Sequence, residues 1–254
     1  MEIVHIAAGD YPRYEVLLLQ RDQLKKDALQ YRRTYIREFG ELINKIFEKQ
    51  VSCIALKKSI AFCQLAINQG KKPDIAAMNE YVTEQMTAYR LQLNEMISEL
   101  NSTKKDTLIT EADSQEIKAI YRKIARLLHP DMSDLTADRP ELTELWNQVC
   151  IAYKCNDLKL LQEKDILIQQ AIAQLGGNAD PVVIPDLQER ITALEKEIHT
   201  IVTTEPYSYK EILDNEDTIT KKKAEFETEF KEYCEYESQL KEQLDSMTKE
   251  DSYE

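Results

Sequence analysis

The chain has 254 residues, 43% of them hydrophobic and 31% charged, a formal net charge of −13, and only 5 Gly and 7 Pro. So few turn-formers among so many Glu, Lys, Leu, Ala and Gln favour long helices over sheets, which predicts an all-α protein. Residues 181–254 hold 20 acidic side chains against 9 basic ones, a balance that repels phosphates and argues against nucleic acid or an anionic membrane as the partner of that end.

Residues 1–102 read as an N-terminal helical hairpin. A long apolar–polar alternation begins near Tyr14 and runs through Tyr35, Phe39, Ile46, Ile54 and Leu65 to "NQGKKPD". There Gly70 suits a helix C-cap, Pro73 forbids continuation, and Asp74 can cap a second helix. That helix places Met78, Val82, Met86, Tyr89, Leu93, Met96 and Leu100 at steps of three and four. The spacing is close to a heptad seam, and a tight turn between two such helices makes them antiparallel.

Residues 103–175 form a denser module. "EADSQE" carries a capping-box pattern, with Asp113 or Ser114 as the cap. The helix it starts stacks Ile117, Ile120, Tyr121, Ile124 and Leu127 on one stripe, while Lys118, Arg122 and Arg126, with Lys123 alongside, make a basic face. Pro130 bars helical geometry at His129 and stops the helix in a bare His-Pro-Asp. "DRPELTELWNQVCIAYK" then restarts a helix, with Asp138 as cap and Pro140 in the first turn. Its stripe is Leu142, Leu145, Trp146, Val149, Ala152 and Tyr153. Two such helices bury their stripes against each other and leave His129, Pro130 and Asp131 on an exposed corner beside the basic face.

Residues 176–186 form a Gly/Pro linker, and residues 187–254 an acidic helical arm. The arm opens with Leu187, Ile191, Leu194, Ile198 and Ile201, is broken at Pro206, and ends in a helix whose seam of Phe226, Phe230, Tyr233, Leu240, Leu244 and Met247 is interrupted by Glu237. The tail "KEDSYE" should fray. Tyr-rich "EPYSYKE" reads as turn packing. Charge complementarity suggests that the acidic arm covers Lys118, Arg122 and Lys123.

"EIKAIYRKIARLLHPDMS" resembles helix II and the loop of a J-domain, the module by which co-chaperones engage DnaK-type heat-shock chaperones. "LTELWNQVCIAYKCND" is similar to that module's helix III. The likeness covers about residues 111–165. It implies that His129, Pro130 and Asp131 dock on the chaperone and promote its ATP hydrolysis. Lys118, Arg122, Lys123 and Arg126 would meet an acidic surface, with Tyr121 in the same partner-binding set. An exposed corner further implies that His129→Gln abolishes stimulation without lowering thermal stability. The sequence departs from the family at Leu127, Leu128 and Met132, and it lacks the helix I motif, any Gly/Phe-rich stretch and any zinc-binding Cys repeat. Helix II would then be covered by a helix ending near Leu100 or by "DTLIT" at 106–110.

The expected protein is thus a co-chaperone whose coiled-coil arms bind a client, a scaffold protein or a second copy of the chain. The alternative is a coiled-coil scaffold keeping a J-like module for its shape. No nucleophile–base pair, phosphate loop or cofactor motif points to an enzyme. Cys53, Cys63, Cys150, Cys155 and Cys234 form no C-x-x-C pair, and with scattered histidines, His5 and His199 among them, they match no metal spacing. No uninterrupted apolar run of membrane-spanning length is present, and a reducing, cytoplasmic compartment is expected.

Overall fold

The computed structural model describes residues 10–105, 109–137, 139–174 and 186–248. The start of the chain with His5, most of "DTLIT", the cap at Asp138, the linker and the tail lie outside the described residues. All regular structure among the described residues is helical. In chain order the helices are α1 (Asp10–Asn68), α2 (Ile75–Gln85), α3 (Thr87–Lys105), α4 (Glu111–Leu128), α5 (Pro140–Lys154), α6 (Leu158–Gln174), α7 (Leu187–Thr203), α8 (Tyr209–Leu213) and α9 (Glu216–Thr248). A 3₁₀ turn at Asp134–Thr136 lies between α4 and α5.

Compactness divides the chain into Met1–Arg32 with Thr107–Tyr209, and Arg33–Asp106 with Lys210–Glu254. The consecutive segments of the sequence are therefore interleaved. The first part of α1 belongs to one unit and its remainder to the other, because no Gly or Pro interrupts the helix at the division.

In the second unit α1 and α2–α3 form the expected antiparallel hairpin. Cys63 meets Met78 at 3.5 Å, Lys58 reaches Gln85, and Lys104 pairs with Glu41. At the turn, Gly70 sits at φ +67°, its N–H bonds the Ile67 carbonyl, and that of Lys71 bonds Ala66, which is a Schellman ending. Asp74 accepts from the Ala77 N–H at 3.0 Å and caps α2. Along α2 and α3 the seam residues Met78, Met86 and Leu100 are buried and Val82, Tyr89, Leu93 and Met96 half-buried, while their neighbours face solvent. The helix pauses at Met86 rather than running through it. A side chain on Gly40 would meet Leu100 at 2.9 Å, so the two helices approach closely there.

Helix α9 lies parallel to α1 in this unit. Phe226 packs on Phe39, and the Cys53 thiol lies 3.8 Å from the Tyr233 carbonyl. Glu237, the intruder in the seam, is 7% exposed. Its carboxylate accepts from Lys49 Nζ at 2.6 Å, Ser52 Oγ at 2.7 Å and Lys241 Nζ at 2.9 Å. These bonds hold its pKa down at about 2.

The first unit is built around one core. Ile117, Ile124 and Leu128 of α4, Leu142, Val149 and Ala152 of α5, Leu161 and Ile168 of α6, and Leu187 and Ile191 of α7 are all buried in it. Most of the expected α4 and α5 stripes are buried, but Ile120, Leu127 and Leu145 are only half-buried and Ala125 and Leu128, outside the expected stripe, are fully buried. Tyr14, Leu18 and Leu19 of α1 complete the cluster. Helix α4 is thus covered by the first turns of α1, whereas the sequence pointed to a helix ending near Leu100 or to "DTLIT", of whose described residues Ile109 packs on this core. The cap of α4 is Thr110, accepting from the Asp113 N–H at 3.1 Å, three to four residues before the expected cap. Glu111 and Asp113 then fall in the first turn, where the helix dipole favours acids. Pro140 opens α5 as expected. Tyr207 meets Tyr31 edge-on at 5.4 Å, in keeping with turn packing for "EPYSYKE".

One window within Tyr11–Asn68 reaches a mean hydropathy of 1.2, long and apolar enough by length and composition to cross a membrane. The sequence reading required an unbroken apolar run; the average tolerates Lys57 and Lys58 inside the window. Cys53, Ser59 and Cys63 from the same stretch are buried in the protein.

Candidate functional site

His129 ends α4 with φ −63° and ψ 126°, the extended geometry that a following proline imposes. Its N–H completes the last helical bond, to Ala125 at 2.8 Å, and its carbonyl accepts from the N–H groups of Met132 and Ser133 at 2.8 and 2.9 Å. The ring turns back into the loop, and Nδ1 accepts from the Asp131 N–H at 3.0 Å. Nδ1 is therefore the unprotonated nitrogen and Nε2 carries the hydrogen. Nε2 points toward Asp22 Oδ2, 3.7 Å away.

This geometry corrects the exposed corner. The His129 side chain is 8% exposed, edge-on to Trp146 with ring centres 5.1 Å apart and with Arg21 of α1 at 3.5 Å. Burial pushes its pKa below the ordinary value despite the nearby Asp22 and Asp131 carboxylates, so it is neutral at pH 7. Pro130 remains exposed and Asp131 is 42% exposed. Met132 is buried with its carbonyl held by Tyr11 at 3.2 Å. Tyr11, Arg21 and Asp22 of α1 and Trp146 of α5 together account for these burials.

Tyr121 is likewise a core residue, 4% exposed, rather than a free contact. Its ring stacks on Tyr153 at 3.8 Å and beside Trp146 at 5.8 Å, and its hydroxyl donates to Asp22 at 2.8 Å. Burial and that carboxylate push its pKa well up. The basic face is half consumed. Lys123 pairs with Asp165 of α6 at 2.7 Å and Arg126 with Glu15 of α1 at 2.6 Å. Lys118 and Arg122 make no ion pair among the described residues. The α7 carboxylates do not cover this face: Glu195 pairs with Arg13, and Glu197 with Lys25 at 2.6 Å and Arg21 at 3.8 Å.

Behind the His-Pro-Asp loop lies a half-enclosed cavity of about 230 Å³ between α1, α4 and α5. Its floor is aromatic, made by Tyr121, Trp146 and Tyr153. Cationic residues also line it, Arg21, Lys25 and Lys26 from α1 and Lys154 from α5. Arg21 donates to Asp22 at 2.8 Å. Lys26 is 4% exposed, yet Nζ has no hydrogen-bond acceptor and only the Tyr153 ring face 4.0 Å away. Burial lowers its pKa to about 8, so it is still an ammonium at neutral pH. Burial also pushes the Cys150 thiol up to about 11, which leaves it unreactive as a nucleophile at neutral pH.

None of these α1 residues was singled out in the sequence, although a signal existed. Tyr14, Leu18, Asp22 and Lys26 are four apart and share a face, so the apolar stripe of a long helix turns polar where it passes the aromatic pair. No group of three or more His, Cys, Asp or Glu able to hold a metal occurs among the described residues, and His199 is exposed. Comparison with family models, curated proteins and solved structures finds no match for the chain.

Proposed function

We propose that the first unit is a J-domain-like docking module that engages a DnaK-type chaperone through Pro130 and Asp131. In this reading the chain is a non-enzymatic co-chaperone, and the second unit is a coiled arm for a client, a scaffold protein or another copy. The observation that carries it is the His129 ring bonded to the Asp131 N–H, which fixes a turn that offers Pro130 and Asp131 to solvent. Lys118 and Arg122 are available to an acidic surface. Lys123 and Arg126 are engaged only in partly exposed pairs of the kind worth about 0–1 kcal/mol, which a partner can displace. Docking of this kind is salt-sensitive and fast.

The test is single-turnover ATP hydrolysis by a DnaK-type chaperone at low salt. Wild type should accelerate it, and Asp131→Asn and Arg122→Glu should abolish most of the acceleration while leaving helicity and Tm unchanged. His129→Gln is a poor probe on its own, because a buried ring that organises the loop also supports the fold. Absence of acceleration and of binding across several chaperones favours the second reading, a coiled scaffold that keeps the module for shape. The burial of His129 beneath Arg21 and Asp22 speaks for that second reading.

A further inference from the structure

We infer that Cys53 of α1 and Cys234 of α9 form a thiol–disulfide pair, which a small-molecule disulfide of the glutathione type oxidises to a bond between the two helices. Both residues lie in the second unit, and the inference needs nothing of the chaperone reading. Its first ground is proximity. The Cys53 thiol lies 3.8 Å from the Tyr233 carbonyl oxygen. That oxygen and the Cα of Cys234 share one rigid peptide plane and are about 3 Å apart, so Cys53 Sγ is within about 7 Å of the Cys234 backbone. Disulfides join cysteines whose Cα atoms are roughly 4.4–6.8 Å apart, a spacing that side-chain rotation and a small approach of the helices can reach.

The second ground is a fixed register. Ser52, next to Cys53, donates to Glu237, three residues beyond Cys234, and Lys49 donates to the same carboxylate. These bonds hold this level of α9 against this level of α1. The thiols accordingly share their surroundings, since the charge of Cys234 acts on both Cys53 and Lys49. The third ground is unequal access. Cys234 is half-buried and can meet a reagent from solvent, whereas Cys53 is 3% exposed and burial raises its pKa.

The two cysteines therefore act in order. The Cys234 thiolate attacks one sulfur of the small disulfide, whose S–S bond breaks and releases one small thiol. Cys53 then attacks the Cys234 sulfur of the mixed disulfide, forming the Cys53–Cys234 bond and releasing the second small thiol. Two cysteines are oxidised, one small disulfide is reduced, and the two cysteine protons end on the two thiols released. The buried thiol is a weak nucleophile, but it attacks a sulfur held beside it, and such proximity raises rates. The other cysteines are placed differently: Cys63 faces Met78, burial holds Cys150 at about 11 in the first unit, and Cys155 is exposed.

The experiment incubates the folded full chain with oxidised glutathione, blocks the remaining thiols with N-ethylmaleimide and maps the unreduced peptides by mass spectrometry. The product should be a monomer lighter by two hydrogens, with a Cys53–Cys234 peptide and three of its five cysteines blocked. Dithiothreitol should reverse it. The bond closes a loop of about 180 residues in the unfolded chain, so the oxidised protein should melt at least about 5 °C higher. Cys155→Ser should form the bond as wild type does. Cys53→Ser should stop at glutathione on Cys234, and Cys234→Ser should form no bond to Cys53. The half-buried position of Cys234 keeps the second variant informative if the first fails to fold. Five free thiols after incubation, glutathione retained on Cys234 of the wild type, or a linked peptide made by any other pair overturns the inference.

Discussion

Each unit buries a charge, and the two are treated in opposite ways. Glu237 sits in a regular helical seam and receives hydrogen bonds from Lys49, Ser52 and Lys241. Lys26 sits beside an aromatic cluster and receives none. The first is a finished structural contact. The second is an enclosed cation set 4.0 Å from the face of the Tyr153 ring. The contrast separates a charge that ties two helices together from one packed on an aromatic face.

The largest expected effect tests whether the start of α1 belongs to the first unit. Leu18 is fully buried in that core. Leu18→Ala should cost about 2–5 kcal/mol in chemical denaturation. A loss under about 1 kcal/mol would detach α1 from the module and remove the explanation for the burial of His129.

Glu237→Ala should come next, at about 1–3 kcal/mol, because Lys49 and Ser52 lose their acceptor. Its pH dependence has a definite sign. The folded carboxyl is held at about 2, below its ordinary 4.5, so its contribution is complete above 4.5 and disappears as pH falls toward about 2. Wild type and variant should therefore converge in acid; a gap that persists at pH 2 would mean the burial, not the charge, is what matters.

Lys26→Met should go the other way and stabilise the protein by about 1 kcal/mol at pH 7, since removing an unpaired buried charge relieves its desolvation. The lysine is lowered to about 8, so between that value and 10.5 the unfolded chain binds more protons than the folded one. Wild-type stability rises with pH across this window, and the advantage of the variant should shrink there. A destabilised variant would mean that Lys26 is satisfied by the protein itself.

The smallest effect concerns His129, whose pKa burial lowers from 6.5. Below 6.5 the unfolded chain takes up a proton that the folded chain refuses, so stability should fall as pH drops from 6.5 toward 5. In an NMR titration the His129 ring should change charge below pH 6.5; a midpoint above 6.5 would mean that the Asp22 carboxylate outweighs burial.

The regular part of this architecture was legible because periodicity states which face is buried. Met78 to Leu100 on α2–α3, and the stripes of α4 and α5, lie where steps of three and four put them. The surroundings of His129 were not, since the residues that bury it come from 108 positions earlier in the chain, and no local pattern says which long helix lies on which. The same gap hid the cavity: Tyr121, Trp146 and Tyr153 read as ordinary core, and the α1 residues that line the space beside them carry no local sign of it.

The two bonds that Glu237 makes to Lys49 and Ser52 of α1 also act on how the long helices find each other. A seam made only of apolar knobs lets one rod slide past its neighbour and lock in several positions of similar energy. Slippage by one turn would carry the carboxylate about 5.4 Å from Lys49 and Ser52 and break both bonds across the seam. Glu237 therefore works as a detent, rejecting shifted alignments of α9 along α1 before the rest of the seam closes.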